Sequence, residues 1–154
     1  GPFGEALRPF DGNVAAARFL LALAAAKDEA RWRREALRAM AVAAAPGVPE
    51  RHGWRSSALL LAVEEATRPV LRATVVGEAD DPRTLALLAA ARAADVPGLV
   101  VERVDVDGRS VTGAPAPPAA DGPALFLCGD GQCSSPVGAP EEVESAARAF
   151  GSGR

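Results

Sequence analysis

The sequence predicts a protein of the α+β or α/β class. It reads as an N-terminal helical hairpin plus a third helix, followed by a small βαβ-containing sheet with a C-terminal helix. Three observations carry this. Residues 14 to 67 show stripes of alanine and leucine at helical spacing. The pattern then changes at VLRATVV, residues 70–76, a β-branched run. Asp81-Pro82 next places a helix start between that run and a second one, LVVERVDV, residues 99–106.

Taken in order, residues 1–13 read as loop, with Asp11 or Asn13 available to cap a helix over 14–26. That helix is apolar on nearly every face, which predicts burial. Asp28 starts a second helix running to about Ala45, with Trp32, Ala36, Ala39, Met40 and Ala43 on one stripe; Pro46-Gly47 stops it. The short link predicts an antiparallel hairpin. A third helix spans about Trp54 to Thr67, with Leu59, Leu60, Ala62 and Val63 on its apolar side, and Pro69 ends it. After the first strand, a helix from Asp81 to about Ala94 turns Leu85, Leu88 and Ala89 inward. Strand, helix and strand in this length make a βαβ unit with parallel strands. Asp107-Gly108 marks a turn, with a short strand at 110–112. ALFLC, residues 124–128, is a third principal strand, and a last helix runs from Pro140 to Phe150 with acids crowding its first turns. The chain thus divides into a helical segment, 1–69, and a small α/β segment, 70–154.

Composition narrows the function classes. Of 154 residues, 49% are hydrophobic, so a real core forms, much of it from close alanine contacts. Aromatic residues are 5% and the net charge is −3, which argues against stacking single-stranded nucleic acid and against binding duplex phosphates. The run VAAARFLLALAAA is too short to span a bilayer and contains Arg18, which must snorkel or meet an acid. Two cysteines do not make a disulfide-dense secreted scaffold, no export signal is evident at the N-terminus, and a cytoplasmic location is expected.

The chemistry-bearing residues concentrate in LFLCGDGQCSSPVGAPEE, residues 125–142. Cys128 and Cys133 admit several readings. A thioredoxin-type site has Cys-x-x-Cys entering a helix, and this spacing is two residues wider. A zinc site needs about four ligands, and His52 and Asp130 are poor complements. A disulfide across the five-residue separation is geometrically possible, although a reducing compartment opposes it. The plainest reading is a buried strand thiol and a turn thiol. Gly129 and Gly131 fit an anion-binding nest or simple turn glycines. Glu78 and Asp80 follow a strand end where α/β sheets place ligands, but also read as solvated loop residues, with Asp81 as a cap. Asp11, Asn13, Glu50 and His52 form a second set of possible polar site residues. Trp32 and Trp54 read as core or interface anchors. No residue is singled out as catalytic, and no metal or cofactor is called for.

Three stretches carry a family resemblance. DGNVAAARFLLALAAAKDEARWRREA (11–36), ATVVGEADDPRTLALLAAARAA (73–94) and ALFLCGDGQCSSPVGAPEEV (124–143), with Cys128, Cys133 and Pro136 in a Cys-x4-Cys-x-x-Pro pattern, resemble a family of long bacterial proteins. Its animal relatives are called spermatogenesis-associated protein 20. The resemblance implies an N-terminal thioredoxin-like domain and an α/α toroid like the N-acylglucosamine 2-epimerases and six-hairpin glycosidases, of which this chain would be the C-terminal end. The implied role is structural or accessory, without independent catalysis. The alternatives are a part in a sugar-processing enzyme and thiol redox through Cys128 and Cys133. Expected partners are the remainder of a parent protein or a second copy meeting through apolar helices, with no nucleic acid and no membrane.

Overall fold

The computed structural model describes residues 9–105 and 122–152. The chain forms two compact units, Gly1–Arg68 and Pro69–Arg154.

The first unit holds α1 (Phe10–Lys27), α2 (Ala30–Ala43), the short α3 (Val48–His52) and α4 (Ser57–Thr67), the last two linked by a 3₁₀ turn over Gly53–Ser56. Helix α1 starts earlier than the sequence suggests. Pro9 sits at its cap, and Asn13 donates both its backbone N–H and its side-chain amide to the Pro9 carbonyl, at 3.0 and 2.8 Å. Asp11 therefore lies inside the first turn, where the helix dipole favours a negative charge. Asp28 does not start α2. It closes α1 in the left-handed region, φ 53°, a conformation that short polar side chains tolerate.

Helix α1 is not buried all round. Phe10, Val14, Ala17 and Leu21 are buried, a stripe at i, i+4, i+7 and i+11, whereas Ala15, Ala16, Phe19 and Ala22 are exposed. Alanine is apolar but small, so an alanine-rich face costs little when left in water. Ala36, Met40 and Ala43 of α2 and Leu59, Ala62 and Ala66 of α4 complete the core. Ala17, Ala36 and Ala62 are each fully buried, one on each of the three helices, and their small side chains let the backbones approach closely. Leu60 and Val63, expected inward, are exposed, because the buried stripe of α4 follows positions 59, 62 and 66. Arg18 of α1 binds Glu65 of α4 through three contacts of 2.6 to 3.0 Å. Arg33 of α2 donates to the Ala66 carbonyl in the last turn of α4. Helix α4 is thus tied to both members of the hairpin.

The second unit contains β1 (Leu71–Val76), α5 (Pro82–Ala93), β2 (Leu99–Val104), β3 (Ala124–Gly129), β4 (Gln132–Cys133) and, after a 3₁₀ turn over Pro140–Glu142, α6 (Val143–Ser152). The sheet order is β2-β1-β3-β4. Strands β1 and β2 run parallel, with Leu71 opposite Leu99, as a βαβ unit requires. Strand β3 runs antiparallel to β1, with Arg72 opposite Cys128, so the sheet is mixed. The strand anticipated at 110–112 lies outside the described residues.

Leu71, Ala73, Val75, Leu125 and Leu127 point from the sheet into a core shared with Leu87, Leu88 and Ala91 of α5 and Val143 and Ala147 of α6. The inward stripe of α5 is therefore 84, 87, 88 and 91, and Leu85 and Ala89, expected inward, are exposed. Thr84 sets this phase. It is fully buried, and a Cβ placed on Gly77 would lie 2.2 Å from its Oγ1. Gly77 also donates its N–H to the Val104 carbonyl at 3.1 Å, so the β1 exit, the β2 end and the first turn of α5 meet at one residue.

Gly77→Ala is expected to destabilise the second unit by about 1–3 kcal/mol through this overlap. Adding Thr84→Ala, which removes the clashing hydroxyl, should recover part of the loss; the φ of 157° at Gly77 and the Pro123 Cβ at 3.3 Å keep the rest. Urea midpoints of the two single variants and the double variant measure the coupling, and strict additivity would contradict the contact.

Candidate functional site

The even-numbered residues of β1 point away from the helices. Strand period places Arg72 and Thr74 on the face opposite Leu71, Ala73 and Val75. On that face one row runs across all four strands: Val100 of β2, Arg72 of β1, Cys128 of β3 and Cys133 of β4. Directly opposite side chains in such pairs stand roughly 4.5–5.5 Å apart at Cβ. The next row holds Glu102, Thr74 and Phe126.

The two sulfurs are bonded to each other, with Cα atoms 4.1 Å apart. This corrects the reading of a buried thiol and a separate turn thiol. Cys128 and Cys133 face each other across a two-residue hairpin. Its loop is Asp130-Gly131, with φ values of 50° and 77°. Both residues are left-handed, the pattern of the type I′ turn whose twist matches the flanking strands. Leu127 and Ser134 form the next pair: the Ser134 N–H donates to the Leu127 carbonyl at 2.8 Å, and the Leu127 N–H donates to the Ser134 hydroxyl at 3.1 Å. The cysteines thus occupy a non-hydrogen-bonded position, where opposite Cα atoms come closest.

Beyond Ser134, Val137 exchanges two hydrogen bonds with Leu125, at 2.9 and 2.8 Å. Between these pairs Ser135 and Pro136 oppose Phe126 alone, so they lie at a bulge. There a residue without an N–H leaves no bond of the ladder unmade. Cys128 is half-buried and Cys133 exposed. Arg72 is held by Glu102 at 3.5 Å, and Glu102 also accepts from the Thr74 hydroxyl at 2.9 Å. The Arg72 and Glu102 side chains are each 10% exposed, so this is a buried ion pair.

The other sequence candidates lie on the helical unit and in the loop before α5. Asp11 pairs with Arg55. His52 stacks on Phe10, ring centroids 4.3 Å apart. Asn13 is used in the first turn of α1, and Glu50 is exposed. Glu78 and Asp80 are exposed in the loop before α5. Among the described residues no group of three histidine, cysteine, aspartate or glutamate side chains can hold a metal ion, and no helix is long and apolar enough to cross a membrane. Trp54 is 86% exposed, not a core anchor, and Trp32 is half-buried with the Arg31 guanidinium 4.5 Å above its ring.

Asp81 is the cap that the sequence indicates. Its carboxylate accepts the Arg83 N–H at 2.8 Å and pairs with the Arg83 guanidinium at 2.9 Å. The side-chain bond from Arg83, then the backbone N–H, hold its pKa below the ordinary 3.8.

Arg72, Thr74 and Glu102 were not marked as site residues by sequence reasoning. Their signal is present in LRATVV and LVVERV, where polar residues alternate with apolar ones in strands otherwise destined for burial. The hairpin was also legible in the Asp-Gly dipeptide at 130–131.

No family model, curated protein or solved structure matches this chain. The resemblance to the spermatogenesis-associated protein 20 family therefore does not hold, and with it fall the implied toroid and the implied likeness to epimerases and glycosidases. The helical unit closes a three-helix core of its own, and the described strands form one small open mixed sheet. The segments that carried the resemblance have local explanations: alanine where helices pack closely, Asp-Pro at a helix start, Asp-Gly at a hairpin, and proline at an edge bulge.

Because the folded pKa of Asp81 is depressed, its stabilising contribution is complete above the ordinary carboxylate range and is lost as pH falls through the lowered folded value. Asp81→Asn, which retains a capping acceptor, should flatten this part of the acid limb of the stability curve while leaving the helix formed. Urea midpoints between pH 2 and pH 6, set roughly to bracket the ordinary carboxylate pKa, test this. An unchanged slope in the variant would show that Asp81 carries no such linkage.

Proposed function

We propose that the protein works through the Cys128–Cys133 pair as a thiol–disulfide couple, accepting two electrons from a dithiol reductant and returning them to an oxidant. The observation that carries this reading is the placement of the bond: on the outer strand of a sheet, beside an exposed Cys133, and opposite a buried arginine on the neighbouring strand. A purely structural disulfide needs neither an exposed sulfur nor an adjacent cation. A thiolate formed beside Arg72 would be stabilised by that charge. Opening the bond need not unfold the unit. It closes a loop of five residues' separation, for which chain entropy gives about 2 kcal/mol, well under the roughly 5–15 kcal/mol that holds a domain together.

The experiment is equilibration of the folded chain with reduced and oxidised dithiothreitol, with thiols counted by maleimide mass shift and the fold followed by circular dichroism. The reading expects two thiols to appear and disappear reversibly with the spectrum unchanged. A bond that opens only when the protein is unfolded would make it a structural staple.

A second reading has an observation of its own. Phe19, Trp54, Leu60 and Leu61 leave large apolar side chains exposed on the helical unit, Trp54 and Leu60 at 86% and 68%. Apolar surface of this kind suits an accessory module that covers it with a second copy of the chain. Light scattering over a concentration series should then show a mass above that of the monomer, reduced by Trp54→Ser together with Leu60→Ser. A monomer at all concentrations would reject this reading.

A further inference from the structure

We infer that the disulfide is opened from one side: an incoming thiolate attacks Cys133 Sγ, and Cys128 leaves as the thiolate that Arg72 stabilises. This deepens the thiol–disulfide reading and rests on it. The two sulfurs are chemically equivalent in the bond, so any preference must come from their surroundings. Cys133 lies on the two-residue outer strand and is exposed. Cys128 lies on β3, is half-buried, and has Arg72 directly opposite on β1. Exchange is faster when the attacked sulfur is accessible and when the leaving thiol has the lower pKa. Both criteria select the same direction.

Among the described residues, the charged groups around Cys128 are Arg72 from β1, Glu102 from β2 and Asp130 in its own turn. Glu102 is held at Arg72 and at the Thr74 hydroxyl, one row away from the sulfurs. Arg72 is the residue directly opposite Cys128 on β1, whereas Glu102 lies two strands from Cys128 and one row away.

The step balances as follows. The first thiolate of a dithiol donor forms a bond to Cys133 Sγ while the Sγ–Sγ bond breaks and its electron pair goes to Cys128. The donor's second thiolate then displaces Cys133 Sγ, forming the donor's own disulfide. Counted from the dithiol, the donor loses two electrons to the protein's sulfurs and two protons to solvent, and the cysteine thiolates formed take up two protons from solvent.

The test uses the full chain and glutathione, a monothiol, sampled early, before a second glutathione displaces the mixed disulfide. The freed thiol is trapped with N-ethylmaleimide, and tandem mass spectrometry assigns each label. The expected result is glutathione on Cys133 and maleimide on Cys128 in about fivefold excess over the reverse. Arg72→Gln should slow opening about threefold and raise the thiol pKa of Cys128 measured in the Cys133→Ser chain, and Arg72→Lys should restore both. If the arginine variants fail to fold, the label distribution in the unaltered chain decides alone. Equal labelling, or an excess of glutathione on Cys128, overturns the directional inference and leaves thiol exchange standing. No adduct on either sulfur of the folded chain overturns exchange itself.

Discussion

The second unit depends on the register of β1. This strand is paired on both edges, parallel to β2 and antiparallel to β3, and Leu71 through Val75 are all buried. A strand in that position has no solvent face to absorb an error. A slip of one residue would send Arg72 and Thr74 into the core of Leu87, Leu125 and Val143, and would turn Leu71, Ala73 and Val75 toward Glu102. The hydrophobic core therefore fixes which residues reach the opposite face. The row of Val100, Arg72, Cys128 and Cys133 is a consequence of that packing.

The buried pair of Arg72 and Glu102 is the part of this arrangement that stability alone does not explain. Transfer of two charges out of water is costly, and apolar residues of similar size would commonly serve the fold as well or better. Val75 and Leu127, on the other face, show that these strands accept such residues. What the pair adds is position. Glu102 meets Arg72 diagonally and Thr74 directly, which ties the parallel pairing of β1 and β2 in register.

Much of this fold was legible in the sequence, and the reasons differ between its parts. Asp81-Pro82, the change of period at residue 70 and the glycine stops are local signals, and local signals located α5, β1 and the ends of the helices. Helix phase was less legible where every candidate residue was apolar. In α4 and α5 the choice between Leu59 and Leu60, or Leu87 and Leu85, is made by neighbouring elements such as Gly77 against Thr84. The start of α1 was missed because its cap is Pro9, whose carbonyl is used by Asn13, an arrangement that the preference for polar capping residues does not describe. At the site, the cysteines were visible by type. Their bond was not, because it requires knowing that Asp130-Gly131 closes a hairpin rather than a wide loop. Arg72 could join them only through the pairing of β1 with β3, contacts more than fifty residues apart.

The proposed exchange requires that opening the bond be a local event, and the same geometry supports that. The hairpin is held by more than its sulfurs. Asp130 and Gly131 supply the left-handed turn, Ser134 bonds Leu127 on one side of the cysteine pair, and Val137 bonds Leu125 further along. Each such bond contributes on the order of 1 kcal/mol. Together with burial of Leu125, Leu127 and Val137, they keep the outer segment on β3 when the covalent link is gone. The reduced cysteines then remain opposite each other at a position where the backbones approach most closely. Their effective concentration stays high, and re-closure faces little of the entropy that a flexible five-residue separation would otherwise impose. In the proposed cycle, β1, through β3, would keep the place of both sulfurs while the bond is open.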